Sequence, residues 1–475
     1  MSLRCRNFIP ATLILAGFAA CLVGLIVHRM DRVLPWARFS DTLVLAIVSI
    51  LCAWPLRRFA RWPWAIALAA PWLIAVVTFS GFRPAIAAAL VATAAISLGT
   101  LIVPRETPAR ITLALAGGLA LMAGIDGWLL SFPIHHAFVY APVLLAICAL
   151  RRRELIDVCS DASRSLLAAV EATPLLASIA VLVLGIASMG AWLPTVQSDD
   201  LVYHLALPSQ LLAHGVYLPD PHHQIWALAP WSADVLQGIA EVLAGGESRG
   251  AIDALWLFTA AAALWSLARA FGADVRVGWA TVAMFASLPL TAALATSMLT
   301  ELPAVALTAS LAVAIALGRG GVLMALGGVL AGGLAGLKFA QLFAAMVLCI
   351  WALARARGSI EWKRMPLATL FSPLPAHRVM RGRRSRAAIR FCRCSTTFSD
   401  RTFSRRLRST IRAGTPVSAQ ACPGRSRSTR RGIWKRATAV SASCSSRSSE
   451  RGCSHCFVPG CAARWSRQRS FFWGR

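Results

Sequence analysis

Charged residues are scarce in this sequence. They make up 14% of its 475 residues, and only 20 residues are acidic, whereas 57% are hydrophobic. Soluble domains carry about 25% charged residues, so this balance excludes an ordinary soluble domain. Apolar runs of close to 20 residues recur along the chain, and each is long enough to cross the roughly 30 Å hydrocarbon core of a bilayer.

These runs predict an all-α, polytopic transmembrane bundle of about 11 to 12 spans, because a segment in lipid must pair its backbone groups internally. The first run follows Arg4 and Arg6 and is interpreted as a retained anchor, not a cleaved signal peptide. A small-residue stretch that starts at Gly327, GGVLAGGLAGL, favours close helix contacts. The predicted spans are 8–27, 41–56, 64–80, 84–103, 111–131, 137–150, 174–194, 252–271, 278–296, 301–318, 320–337 and 339–355.

Arginines on alternate connections predict the orientation of the bundle, because basic connections stay on the cytoplasmic side. One early segment, with Arg29, Arg32 and Arg38, disagrees with this register. The register places residues 195–251 outside. The connections that agree carry Arg57–Arg61, Arg105 with Arg110, Arg151–Glu154, Arg269 with Arg276, Arg319, and Arg355 with Arg357.

The loop 195–251 is acidic and rich in polar aromatic groups. It has no Lys or Arg before Arg249, and it contains four of the nine histidines and two of the three tyrosines. Its stretch SDDLVYHLALPSQ predicts a helix with Ser198 as N-cap and with Asp199 and Asp200 in the first turn. Pro208 is expected to bend or end that helix. A second amphipathic helix is predicted over 232–243.

Helical spacing puts Asp200, Tyr203, His204 and Leu207 on one face, at i, i+3, i+4 and i+7. Two interpretations of the acidic pair stay open. A carboxylate pair at a helix start is often only a solvated cap, but ionisable groups at a membrane boundary are frequently functional.

The chain resembles the polytopic GT-C glycosyltransferases, in particular the glycosyltransferase family 39-like bacterial relatives of protein O-mannosyltransferases and of the lipid A aminoarabinose transferase. DDLVYHLALP, GVYLPDPHHQIWALAPW, TELPAVALTASLAVA and GGLAGLKFAQLF carry the resemblance, which covers about residues 175–355. One departure is that about six spans precede the acidic loop, which in the family usually follows the first span.

The resemblance implies transfer of a sugar from a polyprenyl-phosphate donor to an envelope glycan, lipid or protein acceptor at the outer face of the bacterial inner membrane. Asp200, or Asp199 as the second choice, would be the general base of an inverting reaction. Lys338 and Arg249 are candidate phosphate ligands, and Glu301 is a candidate for holding acceptor or metal. Tyr203 and His204 are candidate substrate-binding residues. No cofactor is implied with certainty, and a divalent metal ion stays open.

Two other functions are also compatible with the sequence. A transporter or flippase of a polar or lipid-linked substrate would use Asp199, Asp200 and Lys338 as binding or coupling groups, although transporters place such groups nearer the midplane. A non-enzymatic scaffold for an envelope partner is a third possibility. His222 and His223 are interpreted as a polar loop, because adjacent histidines chelate metal poorly, and Trp226 as a membrane anchor or a sugar contact.

Residues 363–475 have a different composition. From 364 onward they contain 24 Arg and one Lys against Asp400 and Glu450, and seven of the 13 cysteines. CSHCFVPGC, at Cys453–Cys461, lacks a second ligand pair for zinc. Arg, Ser, Cys and Pro are products of the wrong frame of a GC-rich gene, so we interpret the tail as frameshifted and disordered, not as a nucleic-acid arm. The chain could then have lost activity. The expected domains are N-terminal helices over 1–173, a GT-C-like core over 174–362, and this tail.

Overall fold

The computed structural model describes residues 36–219, 232–317 and 321–355, and most residues between 16 and 29. Over these ranges every regular element is a helix, which confirms the all-α class, and all of them belong to one compact unit. The expectation for the tail lies outside the described residues. The α-helices are Trp36–Phe59, Trp64–Ser80, Phe82–Gly99, Arg110–Leu129, Ala137–Leu150, Arg152–Ala172, Pro174–Ala187, Ala206–His214, Ser232–Ala244, Arg249–Ala270, Val275–Ser287, Pro289–Leu294, Glu301–Leu317, Gly321–Ala335 and Phe339–Arg355.

Five helical segments of the described chain are long and apolar enough to cross a membrane. They are Ser40–Phe59, Phe82–Gly99, Arg110–Leu129, Pro174–Trp192 and Arg249–Ala270. Five shorter apolar helices accompany them, at Trp64–Ser80, Ala137–Leu150, Glu301–Leu317, Met324–Ala335 and Phe339–Arg355. Hydroxyl groups are accommodated within such helices by bonding back to a carbonyl one turn earlier, as Thr259 does to Leu255 at 2.7 Å.

Two sequence predictions about helices are wrong. The span predicted over 278–296 is broken, because Leu288 adopts an extended conformation before Pro289, and the chain forms Val275–Ser287 and Pro289–Leu294 instead. The connection over 151–173 is largely a helix, Arg152–Ala172, whose polar residues hide its regular pattern from a search for apolar runs.

Small residues allow the central helices to touch backbone to backbone. A Cβ added to Gly118 would lie 1.8 Å from the carbonyl oxygen of Ala95, and one added to Gly99 would lie 1.9 Å from that of Ala114. The Gly-rich helix Gly321–Ala335 joins this core, since a Cβ on Gly333 would lie 2.9 Å from Ala120 Cβ. The close contacts expected from the glycine pattern are therefore present.

One core cluster contains residues from both sides of the boundary expected at 173, including Leu119 and Leu144 before it and Leu257 and Leu330 after it. Helices Phe82–Gly99, Arg110–Leu129 and Ala137–Leu150 thus share a hydrophobic core with helices that follow residue 173. The domain boundary itself stays a prediction.

Two of the connections that carry arginines meet in the structure, and the orientation of the bundle in a membrane stays a prediction. At one end, Arg110 Nη2 lies 2.7 Å from Glu154 Oε2, Arg105 also bonds Glu154, and Arg151 Nη2 donates to Thr100 Oγ1 at 3.2 Å. We call this the basic end. The two arginines hold the pKa of the Glu154 carboxyl at about 2.

The other end, which we call the acidic end, joins the connections 130–136, 193–217, 295–300 and 336–338. Tyr217 N donates to the Leu130 carbonyl at 2.8 Å, and Ser232 N donates to the Gly336 carbonyl at 3.0 Å. Gln197 Nε2 donates to Thr296 Oγ1 at 3.2 Å. Connections far apart in sequence therefore form one surface, and this surface carries the predicted site residues.

Candidate functional site

Asp200 opens a π-helical turn, Asp200–His204, which precedes helix Ala206–His214. The Leu205 amide donates to the Asp200 carbonyl at 2.9 Å, one residue further along than in an α-helix. Pro208, which has no N–H, lies in the first turn of the helix that follows. Widened turns of this kind often occur at functional sites.

Local helix details differ from the sequence prediction. Ser198 is already helical and does not cap, because the Leu201 amide bonds the carbonyl of Gln197 at 3.1 Å. The helix also continues past Pro208, and it ends only at Gly215, whose positive φ of 65° suits a helix terminus. The second predicted helix is present as Ser232–Ala244, although it is buried on nearly all sides.

The shared face predicted from spacing is confirmed in the burial pattern. Asp200, His204 and Leu207 are buried and Tyr203 is half-buried, whereas the neighbouring Leu201 and Val202 are exposed. Asp199 is exposed and hydrogen-bonds the Tyr203 hydroxyl. Of the two adjacent carboxylates, Asp200 faces the protein interior and Asp199 faces away.

The Asp200 carboxylate is fully buried, with one oxygen held and the other unpartnered. Oδ1 accepts a hydrogen bond from the Met298 amide at 3.0 Å. Oδ2 has no hydrogen-bond partner within the described part of the chain. Burial raises the pKa of Asp200, while the Met298 amide and the positive charges of His204 and Arg249 act in the opposite direction.

His204 forms a buried pair with Asp234 of helix Ser232–Ala244. Its Nδ1 lies 2.9 Å from Asp234 Oδ1 and 3.1 Å from Oδ2. Burial lowers the pKa of His204, but the hydrogen bond and the charge of Asp234 outweigh it, so the pKa of His204 is raised overall. The Tyr203 ring lies beside the imidazole, with ring centroids 4.3 Å apart.

Glu301 and Lys338 form a second pair at the acidic end. Lys338 Nζ lies 3.1 Å from Glu301 Oε1, and the lysine side chain is half exposed. Glu301 Oε2 and the hydroxyl of neighbouring Thr300 are buried without a hydrogen-bond partner among the described residues. The sequence prediction that these two charged residues belong to one region is consistent with this contact.

Arg249 is buried and its donors are used by the protein. Nε donates to Thr195 Oγ1 at 2.8 Å, and Nη1 donates to Asp253 Oδ2 at 2.9 Å and to the Ala295 carbonyl at 3.0 Å. Nη2 donates to the Leu193 carbonyl. The guanidinium thus ties three segments of the acidic end together. A phosphate contact for Arg249 stays a prediction.

A small cleft, with room for about one water molecule, adjoins this cluster. Met298, whose amide holds Asp200, and Asp234, which holds His204, both line it. The lining is Ala233, Asp234, Gln237, Ile252, Asp253, Trp256, Met298, Leu299 and Pro303. The cleft therefore combines two carboxylates, an amide and an indole on an apolar floor.

Sequence reasoning did not assign Asp234, Gln237, Asp253 or Trp256 to the site. One available signal was Asp253, an acid inside an apolar run, because such residues are costly and usually functional or paired. The polar row Asp234, Gln237 and Glu241 on a helix whose other positions are mostly apolar was another. His222, His223 and Trp226 lie outside the described residues.

No group of three or more His, Cys, Asp or Glu that could hold a metal ion occurs in the ranges that the structure describes. Comparison with models of protein families, with curated proteins and with solved structures found no match for this chain. What the fold and the site define is an all-helical bundle with helices of membrane-spanning length and a buried carboxylate cluster at one end.

Proposed function

We propose that this chain is a multi-span membrane glycosyltransferase that moves a sugar from a polyprenyl-phosphate donor to a hydroxyl acceptor. The observation that carries the proposal is Asp200: it is buried, one oxygen is fixed by the amide of Met298, which lines the small cleft, and the other oxygen has no hydrogen-bond partner in the described chain. A fixed carboxylate with a free oxygen and a raised pKa suits a general base.

The polar groups that line the cleft suit sugar hydroxyls, and because the cleft has room for about one water molecule, binding of a sugar ring requires it to open. The carboxylates of Asp234 and Asp253 and the amide of Gln237 can bond hydroxyl groups, and Trp256 supplies a flat apolar face. Specific pockets of this kind combine mostly apolar walls with a few placed polar groups.

Lys338 supports the donor end of the proposal. The lysine side chain is half exposed beside Glu301, so its ammonium group is accessible to an anionic headgroup from outside the protein. In the arginine register the acidic end faces outward, which gives an active site on the outer face of a bacterial inner membrane.

The proposed reaction breaks the bond between the anomeric carbon and the phosphate oxygen, and the electron pair leaves with the phosphate. The acceptor oxygen forms the new bond on the opposite face, and its proton passes to Asp200 Oδ2. Inversion at the anomeric carbon follows from attack opposite the leaving group, by analogy with other carboxylate-assisted glycosyl chemistry.

Asp200→Asn tests the proposal, with Asp161→Asn as the control because Asp161 is an exposed carboxylate of helix Arg152–Ala172 that has no contact with the acidic end in the described chain. Membranes containing each full-length variant are incubated with labelled polyprenyl-phosphate sugars, and the glycosylated product is measured. Loss of a general base costs about 10²- to 10⁴-fold. We expect such a loss for Asp200→Asn and nearly unchanged transfer for Asp161→Asn.

Transfer that survives Asp200→Asn at the same protein level would refute the assigned base. No transfer by the wild-type chain, with movement of a lipid-linked sugar across vesicles, would favour the transporter instead.

A further inference from the structure

The role of the buried Asp234–His204 pair is not explained by Asp200 acting as a base. His204 Nδ1 contacts both oxygens of Asp234, and the two side chains are almost completely buried. Among the described residues, the hydrogen bonds of the His204 ring are both at Nδ1, and the side chain keeps a small exposed fraction of 8%. A histidine held at one nitrogen by a carboxylate presents its other nitrogen in a fixed direction.

Backbone contacts hold Asp234 in place. The Ser232 amide donates to the Gly336 carbonyl at 3.0 Å and fixes the start of the helix. Further along, a Cβ on Gly238 would lie 2.8 Å from Leu211 Cδ1, so helices Ser232–Ala244 and Ala206–His214 are closely packed. His204 lies just before helix Ala206–His214, so the packing of this helix against helix Ser232–Ala244 sets the contact between His204 and Asp234.

The charges around the pair favour a protonated imidazole. Asp234, Asp200 and Asp199 all act on His204, and Tyr203 packs on its ring. The charge of Asp234 adds to the burial that raises the pKa of Tyr217, and the charge of Arg249 opposes the raised pKa of Asp200. The three carboxylates are the dominant charges that face the ring, and they stabilise the imidazolium more than burial disfavours it.

We propose that Asp234 is a positioning residue that holds His204 as an imidazolium, and that His204 Nε2–H donates to the leaving phosphate of the lipid-linked sugar. The inference rests on the proposed function. As the bond to the anomeric carbon breaks, the phosphate gains a negative charge, and a charge-assisted hydrogen bond stabilises it in the transition state more than in the ground state. His204 keeps its proton throughout, and the acceptor proton still goes to Asp200.

The pH dependence of transfer distinguishes an imidazolium donor at His204 from a histidine that acts as a base. An imidazolium donor requires the protonated ring, so transfer falls as pH rises through the pKa of His204. A histidine base would require the neutral ring, and transfer would rise over the same range. Asp234→Asn keeps an oxygen that can accept from Nδ1 but removes the charge, so it lowers the pKa of His204 and moves the alkaline fall to lower pH.

The test uses the full-length protein in detergent or membranes. Deuterium exchange at the imidazole C2 position, followed by mass spectrometry, gives the pKa of His204 in the wild type, in Asp234→Asn and in Glu241→Gln. The last is a control on the same helix, whose carboxylate bonds Gln237. We expect a fall of about one unit or more in Asp234→Asn only, as for loss of a close opposite charge.

Transfer by Asp234→Asn should fall about ten-fold relative to wild type at pH values well above the wild-type pKa of His204, and change little at pH values well below the pKa in the variant, which corresponds to that one-unit shift. An unchanged His204 pKa overturns the proposed pair. A lowered pKa with an unchanged pH profile of transfer, or a profile that rises with pH, overturns the phosphate role while the glycosyltransferase function stands. If the wild type transfers no sugar at any pH, the function and the phosphate role both fail, and the exchange measurement still decides the pair.

Discussion

Glu241 provides a quantitative test of the acidic end, because it is a buried carboxyl outside the helices of membrane-spanning length. It is 3% exposed, and its carboxyl accepts a hydrogen bond from Gln237 Nε2 at 3.2 Å and another from the Ser248 backbone. Burial raises the pKa of Glu241 from 4.5 to about 7, and the nearby Glu247 adds to this, while the Gln237 bond opposes it.

The sign of the stability effect follows from this shift. Since the folded pKa lies above the unfolded one, the stabilising contribution of protonated Glu241 is fully present below about pH 4.5, and it is lost as pH rises through about 7. The difference between 4.5 and about 7 corresponds to roughly 3 kcal/mol, at 1.36 kcal/mol per pKa unit. Glu241→Gln is an uncharged isostere, so it should remove this loss.

We expect Glu241→Gln to melt close to the wild type at pH 4.5 and a few degrees above it at pH 8.5, measured by thermal unfolding in detergent. Glu106→Gln is the matched control, because Glu106 is exposed in the connection 100–109 and should behave as wild type at both values. An equal effect of Glu241→Gln at pH 4.5 and pH 8.5 would refute the reasoning, since a packing change does not depend on pH.

Two further predictions concern packing and the arginine at the acidic end. Gly118→Ala should destabilise the bundle by about 1–3 kcal/mol or more, because its methyl group would overlap the Ala95 backbone. Gly246→Ala is the control, because a methyl group there meets open space. The melting temperatures of the two variants test this, and equal values would contradict the backbone contact. Arg249→Met should cost about 3–5 kcal/mol, since it leaves Asp253 buried without its partner, and Arg249→Met combined with Asp253→Leu should recover part of the loss. A stable Arg249→Met protein that has lost only sugar transfer would instead favour the phosphate contact predicted from sequence.

The helical class could be predicted from the sequence because a long apolar run indicates a segment that is buried in protein or in lipid. This inference does not require knowing which other segments it contacts. The break at Leu288 could have been read from Pro289, but the apolar composition on both sides outweighed it. Helix Arg152–Ala172 was missed for the opposite reason: its charged residues interrupt the apolar run, although they fall on one side of the helix.

The candidate site was predictable only where its residues are neighbours in sequence. Spacing within one helix turn was enough to group Asp200 with His204. It could not supply Asp234 or Met298, because their contacts with that turn cross 30 and 98 residues. It also could not distinguish the roles of Lys338 and Arg249. A half-exposed lysine paired with Glu301 and a buried arginine whose donors all bond the protein look alike in a sequence.

The sequence by itself determined an all-helical chain and the inward face of SDDLVYHLALPSQ, because these depend on local composition and on helical periodicity. Only the tertiary structure decided that Asp200 is buried and that its Oδ2 has no hydrogen-bond partner among the described residues. It also decided that His204 pairs with Asp234 and that the guanidinium of Arg249 hydrogen-bonds groups of the protein itself. These features arise where distant connections meet at one end of the bundle, and their physical basis is burial and pairing, which no local pattern encodes.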